Sequence, residues 1–289
     1  HQFTLYAQQQ PLATALLAIV PQRCYTPPAI ERGERVWGIA AQLYAVRSAR
    51  NWGIGDYSGL RALGEFWGER GAGIIGVNPQ HAPYTHDPDH CSPYSPNSRI
   101  FKNWLYIDVE ACADFATCAA ARALVASAAF QDRLRALRAA DLVDYRGVAQ
   151  AKREVLELLY AAFRAHELSA SSERARAFRD FQRGAGGALR NFALFEALQE
   201  HLGTEGRCNG WQSWPQEFHD PTSAAVQGFC VEHLQRVEFF EYVQWIATIQ
   251  LDAAGRRCLE SGLAVGLYED LAVSADRGGA ETWVNQRTF

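Results

Sequence analysis

Three short runs of mainly apolar residues stand out along the chain: Val36–Leu43, Gly73–Val77 and Leu263–Tyr268. Runs of this length without regular alternation are typical of strands buried on both faces of a parallel sheet. Between the first two runs, apolar residues recur at helical spacing: Leu60, Leu63, Phe66 and Trp67. With Gly71 as a stop signal, this spacing predicts a helix. The pattern therefore predicts a βαβ unit and places the chain in the α/β fold class.

A long helical region separates the second strand from the third. Apolar positions from about residue 110 to 260 follow helical spacing, most clearly in 148–163, 191–202 and 232–258. Before this region, residues 84–105 are rich in Pro, Ser, Asp and Asn, which predicts a long ordered loop. We expect Glu238 and Glu241 to lie on the solvent face of the last helix. Trp211 and Trp214, in a turn-rich loop, are expected to be packing residues.

The hydrophobic pattern divides the chain into four predicted segments. Residues 1–30 end a preceding region and lead into a linker marked by Pro27 and Pro28, since paired prolines resist helix and central strand. Within this segment the apolar stretch 13–20 suits a strand or a helix. Residues 31–110 form the βαβ part with its long loop, 111–260 an α-helical insertion, and 261–289 the third strand and the loop after it.

Composition narrows the class of protein. The chain has 289 residues with 48% hydrophobic and 21% charged positions, which excludes wholesale disorder. Its formal net charge of −4 argues against a nucleic-acid surface or a polybasic membrane patch. No apolar stretch is long enough to span a bilayer. We therefore expect neither nucleic acid nor membrane as a partner.

The methionine and cysteine counts bear on whether the chain is part of a longer protein and on the redox state of its thiols. It contains no methionine and begins with His1. Since translation starts with Met, and no signal-peptide pattern is present, we expect part of a longer protein. The seven cysteines are scattered without a Cys-x-x-Cys pair. That spacing predicts reduced thiols in a cytoplasmic protein rather than disulfides or a zinc site.

Candidate chemistry lies where the three predicted strands end, because ligands of parallel α/β proteins bind at the carboxyl ends of strands. Polar and aromatic residues follow each strand there: Asn51, Trp52 and Asp56; Asn78, His81, Ser92 and Tyr94; Tyr268, Glu269 and Asp270. Aromatic rings stack on sugar faces, and carboxylates accept hydrogen bonds from sugar hydroxyls. With no phosphate-type glycine loop nearby, this set suits a neutral polyhydroxy ligand.

Each of these features has a simpler alternative. Gly53-x-Gly55-Asp56 is equally compatible with a turn that caps the next helix, and Asp270 with a second helix cap. Five residues resemble a metal cluster by composition: His81, His86, Asp87, Asp89 and His90. Their spacing matches no standard ligand set, so we expect no metal.

The quoted motifs together resemble the 4-α-glucanotransferases (amylomaltase, or disproportionating enzyme), in the longer bacterial form. The resemblance begins at Trp52-Gly53-Ile54-Gly55-Asp56 and Asn78-Pro79-Gln80-His81. It is sharpest in Ser92–Arg99 and Asn103–Asp108, and it continues in order through 192–198, 210–215, 237–247 and 266–273. It covers roughly residues 20 to 289. Residues 82–84, Asn97 and Trp104 depart from the pattern that we expect of this family.

The resemblance implies a (β/α)8 TIM-barrel of the α-amylase-like kind. Only about its first three barrel strands are expected in this chain, with the helical insertion between strands 2 and 3. It also implies transfer of α-1,4-glucan segments between maltodextrins by a retaining mechanism without a cofactor. That mechanism needs a carboxylate nucleophile and a carboxylic acid. The family carries them after later strands, so we expect no catalytic residue in this chain.

The resemblance also implies which residues meet the substrate, a maltodextrin. Ser92, Tyr94 and Asp270 match family positions beside the sugar next to the bond that is broken. Asn51, Trp52, Asp56 and His81 also match family positions, where a contact and a structural role are equally compatible with the sequence. Two other functions stay open, an α-amylase-type hydrolase and a non-catalytic glucan-binding fragment. Because the catalytic carboxylates are expected outside this chain, we expect this chain alone to be inactive.

Overall fold

Three of the strands form a parallel sheet, as the apolar runs predict. In this computed structural model, which describes residues 2–203 and 210–289, β3 (Gly38–Ala41), β4 (Ile74–Val77) and β7 (Gly266–Glu269) pair in the order β3-β4-β7. The registers are continuous, with Gly38 opposite Ile74 and Ile74 opposite Gly266. The three strands have four residues each and are shorter than the apolar runs that predict them. The central strand is the best buried, with Ile75 fully enclosed.

The chain divides into two compact units, His1–Val36 and Trp37–Phe289. The first unit contains the antiparallel hairpin of β1 (Gln2–Ala7) and β2 (Gln10–Leu16) and the short helix α1 (Pro28–Glu31). The stretch 13–20 is thus partly a strand, and α1 occupies part of the predicted linker, since proline fits the first turn of a helix.

Helices account for most of the second unit. Their bounds are α2 (Tyr57–Gly68), α3 (Ala113–Thr117), α4 (Ala119–Ala126), α5 (Ala128–Ala139), α6 (Tyr145–Phe163), α7 (Glu173–Gly203), α8 (Ala224–Glu232), α9 (Leu234–Glu260) and α10 (Ala280–Val284). Helix α7 breaks at Gly186, whose φ of 56° favours glycine. Helix α9 packs against α7, α2 and β7. The helical region and the sheet therefore belong to one compact unit.

The interpretation of residues 84–105 as a continuous loop is wrong at its carboxyl end. There β6 (Ser98–Lys102) pairs antiparallel with β5 (His81–Ala82), and a helical turn follows at Trp104–Tyr106. Phe101 of β6 stacks on Phe192 of α7, with ring centroids 4.5 Å apart. This packing against a distant helix stabilises a strand that its own polar sequence does not predict.

Glu238 and Glu241 do not form a solvent face, which corrects that expectation. Glu241 is only 3% exposed and lies 3.2 Å from the Arg190 guanidinium of α7. Glu238 accepts a hydrogen bond from the Tyr160 hydroxyl at 2.9 Å. Both carboxylates lie between helices, because the neighbouring arginine and tyrosine groups compensate for the cost of burying them.

The two tryptophans of the turn-rich loop pack as expected. Trp214 is buried against the rings of Phe195 and Trp283. Trp211 donates its indole N–H to Thr282 Oγ1 at 3.2 Å. The six described cysteines are free thiols, and Cys208 lies outside the described residues.

Candidate functional site

Hydrogen bonds connect the loops at the carboxyl ends of the three parallel strands. The side chain of Asn78, just after β4, accepts the Leu43 N–H from the loop after β3 at 2.7 Å. On the other side, the Asp270 N–H at the end of β7 donates to the Val77 carbonyl at 3.1 Å. Three polar loops are therefore anchored at one edge of the sheet, where ligands of parallel α/β proteins bind.

Tyr94 and Asp270, both predicted site residues, meet at this edge. The Tyr94 hydroxyl donates to Asp270 Oδ2 at 3.0 Å, although 176 residues separate them in sequence. The Leu271 N–H donates to Asp270 Oδ1 at 2.8 Å, which orients the carboxylate. The hydrogen bond to Asp270 raises the pKa of Tyr94. With 54% of its surface exposed, Tyr94 presents a ring to solvent beside an oriented carboxylate.

Ser92 and His81 make hydrogen bonds to the segments that carry Tyr94 and Asp270. Ser92 Oγ accepts the Tyr94 N–H at 3.3 Å and so shapes the turn before the tyrosine. His81 Nε2 accepts the Ala272 N–H at 3.1 Å, which holds the loop after β7. Burial, together with the charges of Lys102 and Arg99, lowers the pKa of His81. A neutral imidazole is required for this contact, because only an unprotonated ring nitrogen accepts a hydrogen bond.

Asn51, Trp52 and Asp56 belong to the segment between β3 and α2 and are buried. The Asn51 amide donates to the Val46 carbonyl at 3.0 Å, and the Trp52 indole N–H donates to Glu110 Oε1 at 3.0 Å. Asp56 caps α2 by accepting the Gly59 N–H at 2.7 Å. The helix-cap alternative is thus confirmed for Asp56. The observed contacts of all three are within the protein, and a ligand contact stays a prediction.

Sequence reasoning missed a second group of contacts between the same loops. Asp276 accepts hydrogen bonds from the Tyr84 hydroxyl at 2.7 Å and from Ser95 Oγ at 2.8 Å. Burial acts to raise the pKa of Asp276, but these hydrogen bonds and the nearby His90 outweigh it and lower the pKa. Ser95 lies in the quoted Ser92–Arg99 motif, whereas no sequence pattern distinguishes Asp276.

A third connection is the ion pair of Arg99 with Glu281. The guanidinium donates to Glu281 Oε1 at 2.6 Å and to the Val273 carbonyl at 2.8 Å. Burial acts to raise the pKa of Glu281, but the hydrogen bonds and charge of Arg99 outweigh it and lower the pKa. One arginine therefore holds both ends of the segment 273–281.

A polar cleft of about 500 Å³ opens beside these connections. It is lined by Tyr84, His86, Asp87, His90, Gly210, Gln212, Asp276, Arg277 and Gly278. Within 2–203 and 210–289, no group of three or more His, Cys, Asp or Glu side chains is arranged to hold a metal ion. Of the residues that resemble a metal cluster, Asp89 pairs with Arg146 and His90 approaches Ser95 Oγ at 3.3 Å.

No helix in the described ranges is long and apolar enough to cross a membrane.

The sheet, the helices that pack on it and the three anchored loops define a parallel α/β protein with a polar, tyrosine-bearing candidate site at the carboxyl edge. Residues 41–289 match the model of a protein family described as 4-alpha-glucanotransferase. The chain belongs to this family.

Curated relatives agree along nearly the whole chain. The 4-alpha-glucanotransferase of Haemophilus influenzae is 33% identical over 287 residues, which cover 98% of this chain and 41% of the relative. That of Mycobacterium tuberculosis is 33% identical over 290 residues, 95% of this chain and 37% of the relative. The chain therefore spans about two fifths of the length of these relatives.

Solved structures agree in fold. An amylomaltase from Corynebacterium glutamicum superposes with a TM-score of 0.72 at 27% identity, covering 97% of this chain and 36% of that one. An amylomaltase from Streptococcus agalactiae in complex with acarbose gives a TM-score of 0.68 at 21% identity, covering 89% of this chain and 47% of that one. The second similarity concerns the fold alone.

Proposed function

We propose that the natural protein carrying this chain is a 4-α-glucanotransferase. It moves α-1,4-glucan segments from one maltodextrin to the 4-hydroxyl of another, in the cytoplasm and without a cofactor. Membership of the family supports the reaction. The particular contribution of this chain is recognition of the donor sugar.

The proposal includes a more specific architecture. Strands β3, β4 and β7 are the first three strands of a (β/α)8 barrel, and helices α3 to α9 are an insertion between the second and third. The parallel order β3-β4-β7 supports this assignment. So does the clustering of polar loops at the carboxyl ends, where TIM-barrel enzymes place their active sites.

The donor sugar next to the scissile bond rests against Tyr94 and Asp270. The tyrosine ring offers an apolar face, and the Asp270 carboxylate accepts hydrogen bonds from sugar hydroxyls. Ser92 and His81 hold these two groups in place. Retaining transfer needs a nucleophilic carboxylate and a carboxylic acid about 5–5.5 Å apart. We assign neither role to a residue of this chain and place both outside it.

The observation that carries the proposal is the Tyr94–Asp270 hydrogen bond of 3.0 Å. It joins two loops at the carboxyl edge of a parallel sheet, in a chain whose family transfers glucans. Both partners belong to the set that the sequence resemblance assigned to substrate. The ring also remains half exposed, as a sugar-binding surface must.

The deciding experiment incubates the natural protein with maltotriose. We expect glucose and longer maltodextrins, with a constant number of reducing ends because each bond broken is replaced by one formed. Hydrolysis to maltose and glucose, with rising reducing ends, would identify an α-amylase-type hydrolase instead. Binding of maltoheptaose in titration calorimetry without any turnover would identify a glucan-binding protein. This chain expressed alone is expected to give no turnover.

A further inference from the structure

A buried carboxylate in the second half of α7 has no role in the site described above. Glu196 is 2% exposed. One of its oxygens, Oε1, accepts a hydrogen bond from the side-chain amide of Asn97, which is itself fully buried. Ionisable side chains are seldom buried without a specific partner, because their desolvation is costly. The contact between Glu196 and Asn97 is therefore a specific buried interaction of the fold.

Asn97 joins three segments of the chain at one point. Its N–H donates to the Ala82 carbonyl of β5 at 2.9 Å. Its side-chain oxygen accepts the Ala280 N–H at 2.6 Å, and its carbonyl accepts the Glu281 N–H at 3.3 Å. Its side-chain amide reaches Glu196. The amide of one asparagine thus uses both its donor and its acceptor ends on different elements.

The segment of Asn97 itself and the segment of Ala280 are continuous with the proposed sugar-binding pair. Asn97 follows Tyr94 by three residues, and Ala280 follows Asp270 by ten. Glu196 fixes which way the Asn97 amide faces, because only the NH2 end can donate to a carboxylate. A reversed amide would present NH2 to the Ala280 N–H, donor against donor.

We propose that Glu196 is a positioning residue for glucan transfer: through Asn97 it holds the Tyr94 loop and the Asp270 loop at the separation that the donor sugar requires. The assignment rests on the proposed function. It identifies a contribution of the helical region to the site, although Glu196 itself does not touch the sugar.

The charge state of Glu196 provides a specific readout. Burial raises its pKa to about 7, while hydrogen bonds from Thr85 and the charge of Arg153 act in the opposite direction. The charged or titratable groups around it are Tyr84, Arg153 and Glu200, with His86 hydrogen-bonded to Gln199 on the same helix. Because the ionised carboxylate is the stronger acceptor, positioning improves as the pH rises through about 7.

The test uses four variants of the natural protein: Glu196→Gln, Glu196→Ala, Asn97→Ala and the double alanine variant. We expect kcat/KM for maltotriose to fall about tenfold in each single alanine variant, as when one charge-assisted hydrogen bond is lost. The kcat/KM of the double variant should be no lower than that of the less active single variant, because both substitutions act through one contact. Glu196→Gln should remove the rise of kcat/KM near pH 7.

The matched control is Glu173→Gln, an exposed position of the same helix, which should keep the wild-type pH profile. Multiplicative losses in the double variant, or an unchanged pH profile in Glu196→Gln, would overturn the assignment. If an alanine variant does not fold, the pH profile of the isosteric Glu196→Gln decides.

The two proposals fail separately. A wild-type protein that binds maltoheptaose without transfer contradicts the proposed function, and the Kd of maltoheptaose then replaces kcat/KM in the same comparison. A wild-type protein that transfers normally, with variants indistinguishable from it, contradicts the role of Glu196 alone.

Discussion

The Tyr94 hydroxyl donates a hydrogen bond of 3.0 Å to Asp270 Oδ2, linking the loop between β5 and β6 to the end of β7 across 176 residues. The two groups orient each other, and the tyrosine ring stays open to solvent. Since Asp270 is also fixed by the Leu271 N–H at 2.8 Å, its second oxygen is directed by the backbone. The aromatic ring and the carboxylate at this edge are therefore preorganised.

Removal of the Tyr94 hydroxyl tests that preorganisation. We expect Tyr94→Phe to lower kcat/KM for maltotriose about three- to tenfold, because the ring remains while the orienting hydrogen bond is lost. Glucose release in the natural protein is the measurement. Tyr25→Phe, an exposed tyrosine of the first compact unit, is the control. Equal activity of Tyr94→Phe and wild type would show that the hydrogen bond does not orient the site.

Asp56 distinguishes a helix cap from a sugar contact. Asp56→Ala should lower the free energy of unfolding by about 1 kcal/mol, the usual cost of losing an N-cap. Asp56→Asn keeps an oxygen for the Gly59 N–H and should restore most of that loss. Urea unfolding and maltotriose kinetics are measured on the same preparations. A large rise in KM for Asp56→Asn, with stability retained, would reveal a direct role in substrate binding.

The Arg99–Glu281 pair is expected to stabilise the loops in a pH-dependent way. Glu281→Gln should lower the free energy of unfolding by about 1–3 kcal/mol at pH 7, because it removes a mostly buried charge partner of Arg99. The pKa of Glu281 is lowered from its ordinary 4.5. The native state thus favours the ionised form, and its contribution is present above pH 4.5 and is lost as the pH falls through the lower native pKa.

Urea unfolding from pH 3 to 7 measures the difference between Glu281→Gln and wild type. The difference should shrink towards the acid end. Glu69→Gln, at an exposed residue beside Arg70, serves as the control and should change the free energy of unfolding by less than about 0.5 kcal/mol. A constant difference across the range would contradict a role for the ionised carboxylate.

Lys152 is a buried cation whose lowered pKa also makes native stability rise with pH, but in an alkaline window. Its Nζ donates to the carbonyls of Leu105 and Ile107, both at 2.6 Å. Burial lowers its pKa to about 8, although Asp56 and Asp108 partly oppose the shift. We expect Lys152→Met to destabilise the protein by about 1–3 kcal/mol at pH 7, because two buried carbonyls lose their donor.

The pH dependence follows from the lowered pKa. Between pH 8 and 10.5 the unfolded chain holds the lysine proton while the native state releases it. Native stability from this residue therefore rises with pH in that window, and the disadvantage of Lys152→Met should grow. Urea unfolding of both proteins at pH 7.5 and 9.5 checks the sign. A disadvantage that shrinks at the higher pH would contradict it.

Local pattern explains the elements that the sequence predicted. The three apolar runs specify buried strands, and the helical spacing of Val148, Leu159 and Phe163 specifies α6, because each depends only on neighbours in sequence. Strand β6 was missed because Ser98–Lys102 has a polar composition, and its pairing with β5 and the stacking of Phe101 on Phe192 are tertiary.

The amino-acid sequence by itself determined the α/β class, the family and the candidate set that contains Tyr94 and Asp270. Only the tertiary structure decided which members of that set are in contact. It brought Tyr94 onto Asp270 and added Asp276 and Glu196, which no local pattern distinguishes. The physical reason is that hydrogen bonds across 99 to 192 residues depend on how strands and helices pack. Spacing along the chain does not encode that packing directly.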